Sequence, residues 1–311
     1  MSSRGAAVPK PHTRRSGRWN RWNVSLNDLQ YIRRLNEDRL RPIAPAPHKP
    51  EPSKWRDDRL TASWLGHSTV LLNFFGVRII TDPVLRRRVG VRVGPVTFGP
   101  KRYVAPALRA RELPRLDIVI LTHAHMDHFD MGTLRQLPRN VTIVTAKATA
   151  DLLRRMRFKE VVELDWGESH IFHTKHGAVR IEAFRVQHWG ARVRHDSHRG
   201  FNGYVVERKG RRVVLAGDTA HMNFSAIGRK GAVDLMAVPI GAYNPWVAVH
   251  CTPEQAVQMA NQARAKYVLP IHHQTFRLGR EPMDEPLRRF ERALEPDRIA
   301  LREIGETFVL P

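Results

Sequence analysis

From Leu60 onward the apolar residues come in short blocks broken by glycine and polar turns, the spacing of strands rather than of long helices. Ala62–Leu65, Thr69–Phe74 and Val77–Thr81 read as three consecutive strands, with a tight turn at Phe75-Gly76. Ile118–Leu121 and Val141–Thr145 follow as strands, with helices expected around Gly132–Gln136 and over Asp151–Phe158. A second strand set covers Val179–Val186, Gly203–Glu207, Arg212–Leu215 and Leu235–Val238. Pro253–Arg264 carries helix signals, with Thr252 as N-cap and Pro253 in the first turn. Tyr267–Pro270 is the last strand before a histidine pair, and Glu285–Leu294 closes the chain as a helix. Two strand-rich halves, each with helices, predict an α+β chain: two facing mixed sheets covered outside by helices.

The amino-terminal part has a different texture. Met1 to about Gly17 is small, basic and polar with prolines at Pro9 and Pro11, a composition that predicts no packed structure. Asp28–Leu40 predicts a short helix with Leu29, Ile32, Leu35 and Leu40 along one stripe, Asn27 as N-cap and Gln30 closing a capping box. Residues 41–53 hold five prolines and read as an extended linker. The expected division is therefore an arm over residues 1–60 and a folded domain over residues 61–311.

Charge sharpens that division. The chain carries 52 basic and 30 acidic side chains, a net +22, and only 10 of the basic groups are Lys. Residues 1–60 hold 14 basic and 6 acidic groups, net +8, so the arm is more than twice as basic per residue as the rest. Such charge suits a phosphate-rich partner, nucleic acid or, as a peripheral contact, an anionic membrane surface; the alternative is that it only aids solubility, since no basic helix with interleaved aromatics stands out. No apolar run approaches the ~18 residues of a membrane span, the first residues lack a secretory signal's apolar segment, and the single Cys251 excludes an internal disulfide. These features predict a cytoplasmic protein, peripheral on the membrane where the arm engages lipid. A homodimer is compatible with the same features.

The chemistry is concentrated in His123-Ala124-His125-Met126-Asp127-His128, directly after the apolar run ending at Leu121. Side chains two apart on an extended backbone point the same way, so His123, His125 and Asp127 can converge at a strand end, and His128 must arrive through a turn. Imidazole with carboxylate is a ligand set for zinc that also serves manganese or iron. Three later segments have the same form, a strand end followed by a ligand type: His188 after Val186, Asp218 after Val214-Leu215-Ala216-Gly217, and His272 after Leu269-Pro270-Ile271. Together these are seven ligands, enough for two metals with one shared carboxylate.

The chain resembles the metallo-β-lactamase superfamily, and within it the branch containing N-acyl-phosphatidylethanolamine-hydrolysing phospholipase D. The resemblance runs from about Trp64 to Phe290. It rests on Trp64-Leu65-Gly66-His67-Ser68-Thr69, Thr81-Asp82-Pro83-Val84, Gly99-Pro100-Lys101-Arg102, the stretch from Thr122 to Asp130, His188-Trp189, Gly217-Asp218-Thr219, Pro239-Ile240-Gly241-Ala242-Tyr243 and Pro270-Ile271-His272. It implies the αβ/βα sandwich of that superfamily and two Zn2+ (or Mn2+ or Fe2+). His123, His125 and His188 would hold the first metal, Asp127, His128 and His272 the second, and Asp218 would bridge them. It further implies that Asp82 lies beneath the ligand loop and orients imidazoles, and that His250 stands at the catalytic site beside the metals. His67 is weighed as a structural hydrogen-bonding residue against an active-site one, and His273 as a pocket neighbour. His221 and the polar loop His195-Asp196-Ser197-His198-Arg199 depart from the branch pattern, which bears on the substrate rather than on the metals.

The expected activity is that of a dinuclear metal-dependent hydrolase using a metal-bound hydroxide, with Asp127 and His250 as catalytic residues and no need for Cys251 as a nucleophile. The substrate expected is a phosphodiester of the N-acyl-phosphatidylethanolamine type. The alternatives are a lactone or sugar-phosphate lactone, then a nucleic acid, then no substrate at all in an interaction module. The arm yields a separate expectation. Each Lys or Arg near an anionic bilayer gains about 1 kcal/mol, screened by salt over ~8–10 Å. Deleting Met1 to Pro50 is expected to weaken binding to anionic vesicles while hydrolysis of a soluble short-chain substrate stays nearly intact, and wild-type vesicle binding is expected to fall as salt rises. Co-sedimentation over a salt series checks both.

Overall fold

The structure, a computed structural model, describes Asp38, residues 40–193 and residues 195–311. Its strands are β1 (Leu60–Gly66), β2 (Thr69–Phe74), β3 (Val77–Thr81), β4 (Val91–Val93), β5 (Val96–Phe98), β6 (Ile118–Leu121), β7 (Thr142–Ala146), β8 (Glu160–Leu164), β9 (Ser169–Thr174), β10 (Gly177–Arg185), β11 (Asn202–Arg208), β12 (Arg211–Leu215), β13 (Val233–Pro239), β14 (Ala265–Ile271) and β15 (Thr307–Val309). One sheet runs β15-β1-β2-β3-β6-β7-β8 and the other β14-β13-β12-β11-β10-β9, with β4 and β5 as a separate hairpin. Both large sheets are mixed. β1 to β3 pair antiparallel and β3, β6, β7 and β8 parallel, while β12 to β14 are parallel and β9 to β12 antiparallel.

Alternation of side chains explains how the layers stack. Along β12, Val213 and Leu215 join the core shared with the first sheet, and Val214 between them joins the outer core. β11 and β13 split in the same way: Val206 and Leu235 face inward, while Val205 and Met236 face outward. Strands buried on both faces read as unbroken apolar runs, which is why these segments are so visible in the sequence. The outer core is closed by helix Pro253–Gln262, which buries Ala256, Val257, Met259 and Ala260, and by Phe290 of helix Glu285–Ala293. The first of these helices starts where expected. Thr252 accepts from Gln255 N, and the Gln255 side chain accepts from Thr252 N, a reciprocal cap. The Phe75-Gly76 turn also forms as expected: both residues have positive φ (54° and 92°), as a two-residue hairpin turn requires.

Several expectations need correction. β8, β9 and β15 were not anticipated, and all three are sheet edges. Their exposed, polar-interrupted sequences carry little of the apolar signal that marks central strands. The helix expected over Asp151–Phe158 is a 3-10 turn at Ala150–Met156, ended by Arg157 in the left-handed region. The helix expected at Gly132–Gln136 is the single turn Met131–Leu134, capped by Asp130, whose carboxylate accepts from Gly132 N and Thr133 N. Most of the helix expected over Asp28–Leu40, and all of residues 1–17, lie outside the described residues.

The proline-rich segment is extended, but it lies against the domain. Arg41 donates to the carbonyls of Lys101 and Arg102, Ala44 bridges to Val104, and His48 N donates to Ile304 O. A deletion ending at Pro50 therefore removes contacts of the domain as well as the arm. Truncation through Pro50 also removes Asp38, which accepts from Lys101 N and the Arg41 side chain, and is expected to lower the melting temperature by several degrees, which calorimetry checks. Among the described residues no helix is long and apolar enough to cross a membrane.

Candidate metal centre

Six strands deliver the site. His67 follows β1, Asp82 follows β3, His123 to His128 follow β6, His188 follows β10, Asp218 follows β12 and His272 follows β14. Three of these strand ends bend sharply: His67, Asp82 and His272 have φ of 54°, 36° and 64°. Non-glycine residues held there cost of order 1–3 kcal/mol each and persist where the surroundings fix them. Here the surroundings do so. His272 N donates to His67 O, His67 N donates to Thr275 Oγ1, and Asp82 N donates to Ile120 O of the neighbouring parallel strand.

Beneath the ligand loop, Asp82 accepts three hydrogen bonds: from Thr122 N at 2.8 Å, from Thr122 Oγ1 at 2.7 Å and from His128 Nδ1 at 2.8 Å. Because the Thr122 hydroxyl gives its proton to Asp82, its oxygen accepts from His123 Nδ1 at 2.9 Å. His188 Nδ1 donates to Val249 O at 2.8 Å. In each ring the proton is thus drawn to Nδ1, and Nε2 presents its lone pair to the interior.

Those lone pairs converge. His123 Nε2 is 2.9 Å and His188 Nε2 3.2 Å from His125 Nδ1. On the other side, Asp127 Oδ2 is 3.6 Å from His128 Nε2 and 3.5 Å from His272 Nε2. Asp218 Oδ2 lies between the groups, 3.1 Å from both His128 Nε2 and His272 Nε2 and 3.8 Å from His188 Nε2. Ligands at ~2.0–2.2 Å around one tetrahedral zinc are themselves about 3.3 Å apart, so this spacing is that of donors around a cation. The nitrogens His128 Nε2 and His272 Nε2, and the oxygen Asp218 Oδ1, are buried without a hydrogen-bond partner among the described residues. That is costly for an all-protein cluster and expected of metal ligands.

Electrostatics agree with the fit. Burial holds His123 well below the ordinary imidazole range, His125 at about 4 and His188 at about 3, so all three are neutral donors. Burial alone would lower His128 and His272 too, but Asp218 and its neighbours hold His128 well above that range and His272 at about 9. Positive charge is therefore favoured where the Asp127 and Asp218 carboxylates meet those two rings. The residues present fit two divalent cations sharing Asp218.

All seven ligand candidates from the sequence are thus brought together, and two histidines require revision. His67 is inside the cluster: its Nε2 is 3.0 Å from Asp127 Oδ2, and it shares a potential ion site with Asp127, His128 and His272. The glycine-histidine step at a strand end was the signal for it, of the same form as the others. His250 also reaches the cluster, with Nδ1 3.9 Å from Asp218 Oδ2. Burial pulls it down to about 4 against the pull of Asp218, so it is a neutral ring and not a resting proton donor. His273 stacks on Trp64, with ring centroids 4.5 Å apart, and takes no part in the cluster. His195, His198 and His221 are exposed and away from it. Cys251 is buried, donates to Pro239 O, and burial pushes its thiol far up, which removes it as a nucleophile.

Residues 77–273 match the model of the β-lactamase superfamily domain. This chain belongs to that superfamily. N-acyl-phosphatidylethanolamine-hydrolyzing phospholipase D 1 of Caenorhabditis elegans is 35% identical over 236 residues, covering 71% of this chain and 65% of that protein. The chain thus spans a little under two thirds of that relative's length. A metal-dependent hydrolase of Thermus thermophilus is 31% identical over 68% of this chain and 83% of its own. The isothiocyanate hydrolase from Delia radicum gut bacteria superposes with a TM-score of 0.64 over 80% of this chain and 98% of that one, at 19% identity, a likeness of fold. The superfamily match and this likeness together give the chain the metallo-β-lactamase fold.

Asp82→Ala removes three acceptor contacts, one of them to His128, while leaving every candidate ligand in place. It is expected to weaken metal affinity by about 10–100-fold, as loss of partners behind metal-bound histidines typically does. Chelator competition on folded protein checks this, and unchanged affinity would contradict the role given to Asp82.

Proposed function

We propose that this superfamily member is a dinuclear phosphodiesterase that hydrolyses phospholipids of the N-acyl-phosphatidylethanolamine type in the manner of a phospholipase D, with zinc as the metal. The observation that carries it is the position of Asp218, 3.1 Å from two imidazoles of one ligand set and 3.8 Å from an imidazole of the other. A carboxylate so placed suits two ions held close together. His123, His125 and His188 would hold one, and Asp127, His128 and His272 the other. Bound there, the pair supplies Lewis acidity toward a phosphoryl oxygen and lowers the pKa of water toward neutrality.

The remaining roles belong to the chain. His67 fixes the Asp127 carboxylate, so that the second ligand set keeps its orientation. His250, neutral and facing Asp218, offers a ring N–H to a phosphoryl oxygen or the leaving group. Trp189 packs on His125 with centroids 4.4 Å apart and is 42% exposed, and Trp246 and Val247 are about half exposed on the loop that leads to His250. Apolar side chains at the rim of a polar centre suit a substrate that joins a phosphodiester to acyl chains. The lipid specificity rests on these contacts and on the likeness to the C. elegans phospholipase. The same reading gives the protein a peripheral seat on anionic membrane from the cytoplasmic side.

Metal analysis followed by turnover of N-acyl-phosphatidylethanolamine beside a lactone tests the proposal. About two equivalents of zinc and preferential release of phosphatidic acid are expected; faster lactone turnover would overturn the substrate assignment. Asp218→Ala is expected to abolish turnover, and Asp127→Ala to remove mainly one equivalent of metal. His250→Ala is expected to keep both equivalents while lowering kcat, and loss of metal would move His250 among the ligands.

A further inference from the structure

Beside the metal centre lies a second cavity, of about 500 Å³, between the β4–β5 hairpin and the loop that carries His123 to His128. Its walls hold Arg86, Arg88, Arg92, Arg135 and Arg192, and a single carboxylate, Asp130. Asp130 is already engaged with Gly132 N, Thr133 N and the Thr133 hydroxyl. None of the five guanidinium groups has a carboxylate partner among the described residues. Arg88, Arg92 and Arg192 bond only to backbone carbonyls, Arg192 to those of Ala124 and Phe129 in the ligand loop. Five like charges around one hollow repel one another, and a bound anion relieves that repulsion.

The hairpin adds an independent observation. Its register pairs Val91 with Phe98, Arg92 with Thr97 and Val93 with Val96. Val91, Val93, Val96 and Phe98 therefore share one face and are 53%, 62%, 51% and 59% exposed, while Arg92 and Thr97 lie on the other face and line the cavity. The base is held tightly: a Cβ on Gly90 would stand 2.0 Å from Phe98 O, and one on Gly99 2.1 Å from Val89 O. The hairpin is thus fixed with guanidinium on its inner face and an apolar outer face.

We propose that this cavity is a second anion site, separate from the metal centre, that takes a phosphate-ester group. Guanidinium groups bind phosphate oxygens in pairs, and their charge stays fixed at any physiological pH. A soluble phosphate monoester and an anionic lipid headgroup share this chemistry.

Titration of glycerol 3-phosphate into the metal-loaded protein at low salt, followed by calorimetry, tests the site without any turnover. Binding is expected in wild type. It should persist in Asp218→Asn, or in His188→Ala should that variant fold poorly, because these act on the metal centre alone. Arg92→Gln with Arg135→Gln, both exposed side chains without ion pairs, is expected to weaken it at least tenfold while metal content is unchanged. Absence of binding in wild type would overturn the proposal. So would binding lost in Asp218→Asn but untouched in the arginine variant, since the anion would then go to the metals only. Vesicles of phosphatidylcholine with phosphatidic acid separate the two sources. Co-sedimentation lost in both the arginine variant and Phe98→Asp assigns a lipid headgroup; arginine-dependent binding of the soluble ester alone, indifferent to Phe98→Asp, assigns a free phosphate ester. Single-stranded RNA binding that depends on base identity and displaces the ester would overturn the small-anion assignment.

Discussion

Asp82 ties the fold to the site. It sits at the end of β3, and its carboxylate fixes the first turn of the loop that leaves the neighbouring parallel strand β6. Through Thr122 it sets the tautomer of His123, and directly it sets that of His128, which belong to the two different ligand sets. One buried anion therefore orients a ring on each side of Asp218. It does so because β3 and β6 are held in register, with Ile80 opposite Val119 and Thr81 opposite Ile120, all four buried. Packing of the sandwich is what holds those imidazoles in fixed orientations beside Asp218.

The strained strand ends follow from the same constraint. An extended strand carries its side chains to alternate faces, so a strand that simply continued would take its ligand past the centre. The left-handed residues His67, Asp82 and His272 turn the chain at once and aim the side chain across the sheet edge. Close backbone approach fixes these turns: His272 N bonds to His67 O, and a side chain on Gly241 would collide with His272 O. The local cost is small beside the apolar area buried between the sheets, and the ends are therefore stiff without being individually favourable.

The sequence made the ligands legible because each is a polar residue at the end of an apolar run, a contrast that burial enforces. Central strands were legible for the same reason. Edge strands β8, β9 and β15 were not, since exposure lets them take Glu, His, Ser and Thr at positions where a central strand needs Val or Ile. His67 was underweighted although its context matched the others, because a lone histidine is more often a structural residue and only three-dimensional proximity to Asp127 separates the two roles. The proline-rich segment shows the limit of composition. Five prolines indicate an extended chain but carry nothing about whether that chain finds carbonyls and donors along the domain, as Arg41, Ala44 and His48 do. The β4–β5 hairpin was hidden differently: Val91-Arg92-Val93 and Val96-Thr97-Phe98 do alternate, but each arm is only three residues long and its apolar residues face outward.

Charge connects the two cavities. With metal bound, the candidate ligand set would present five imidazoles as neutral donors and two carboxylates, so under the dinuclear proposal two divalent ions would leave the centre formally positive. Among the described residues the arginines beside it have no carboxylate partner, and Asp130 is spent on a helix cap. Opposite charges that are commonly interspersed on a protein surface are here segregated, with two acids among the candidate ligands and five arginines around the neighbouring cavity. Such an arrangement draws anions toward the centre from solution and weakens as salt rises. Under the proposed function, a neutral ester or lactone would gain nothing from the guanidinium wall, whereas a phosphodiester would be attracted by it as well as by the metals. Five of the chain's positive charges are thus gathered around one cavity beside the ligand loop, where a phosphorylated molecule would find guanidinium partners.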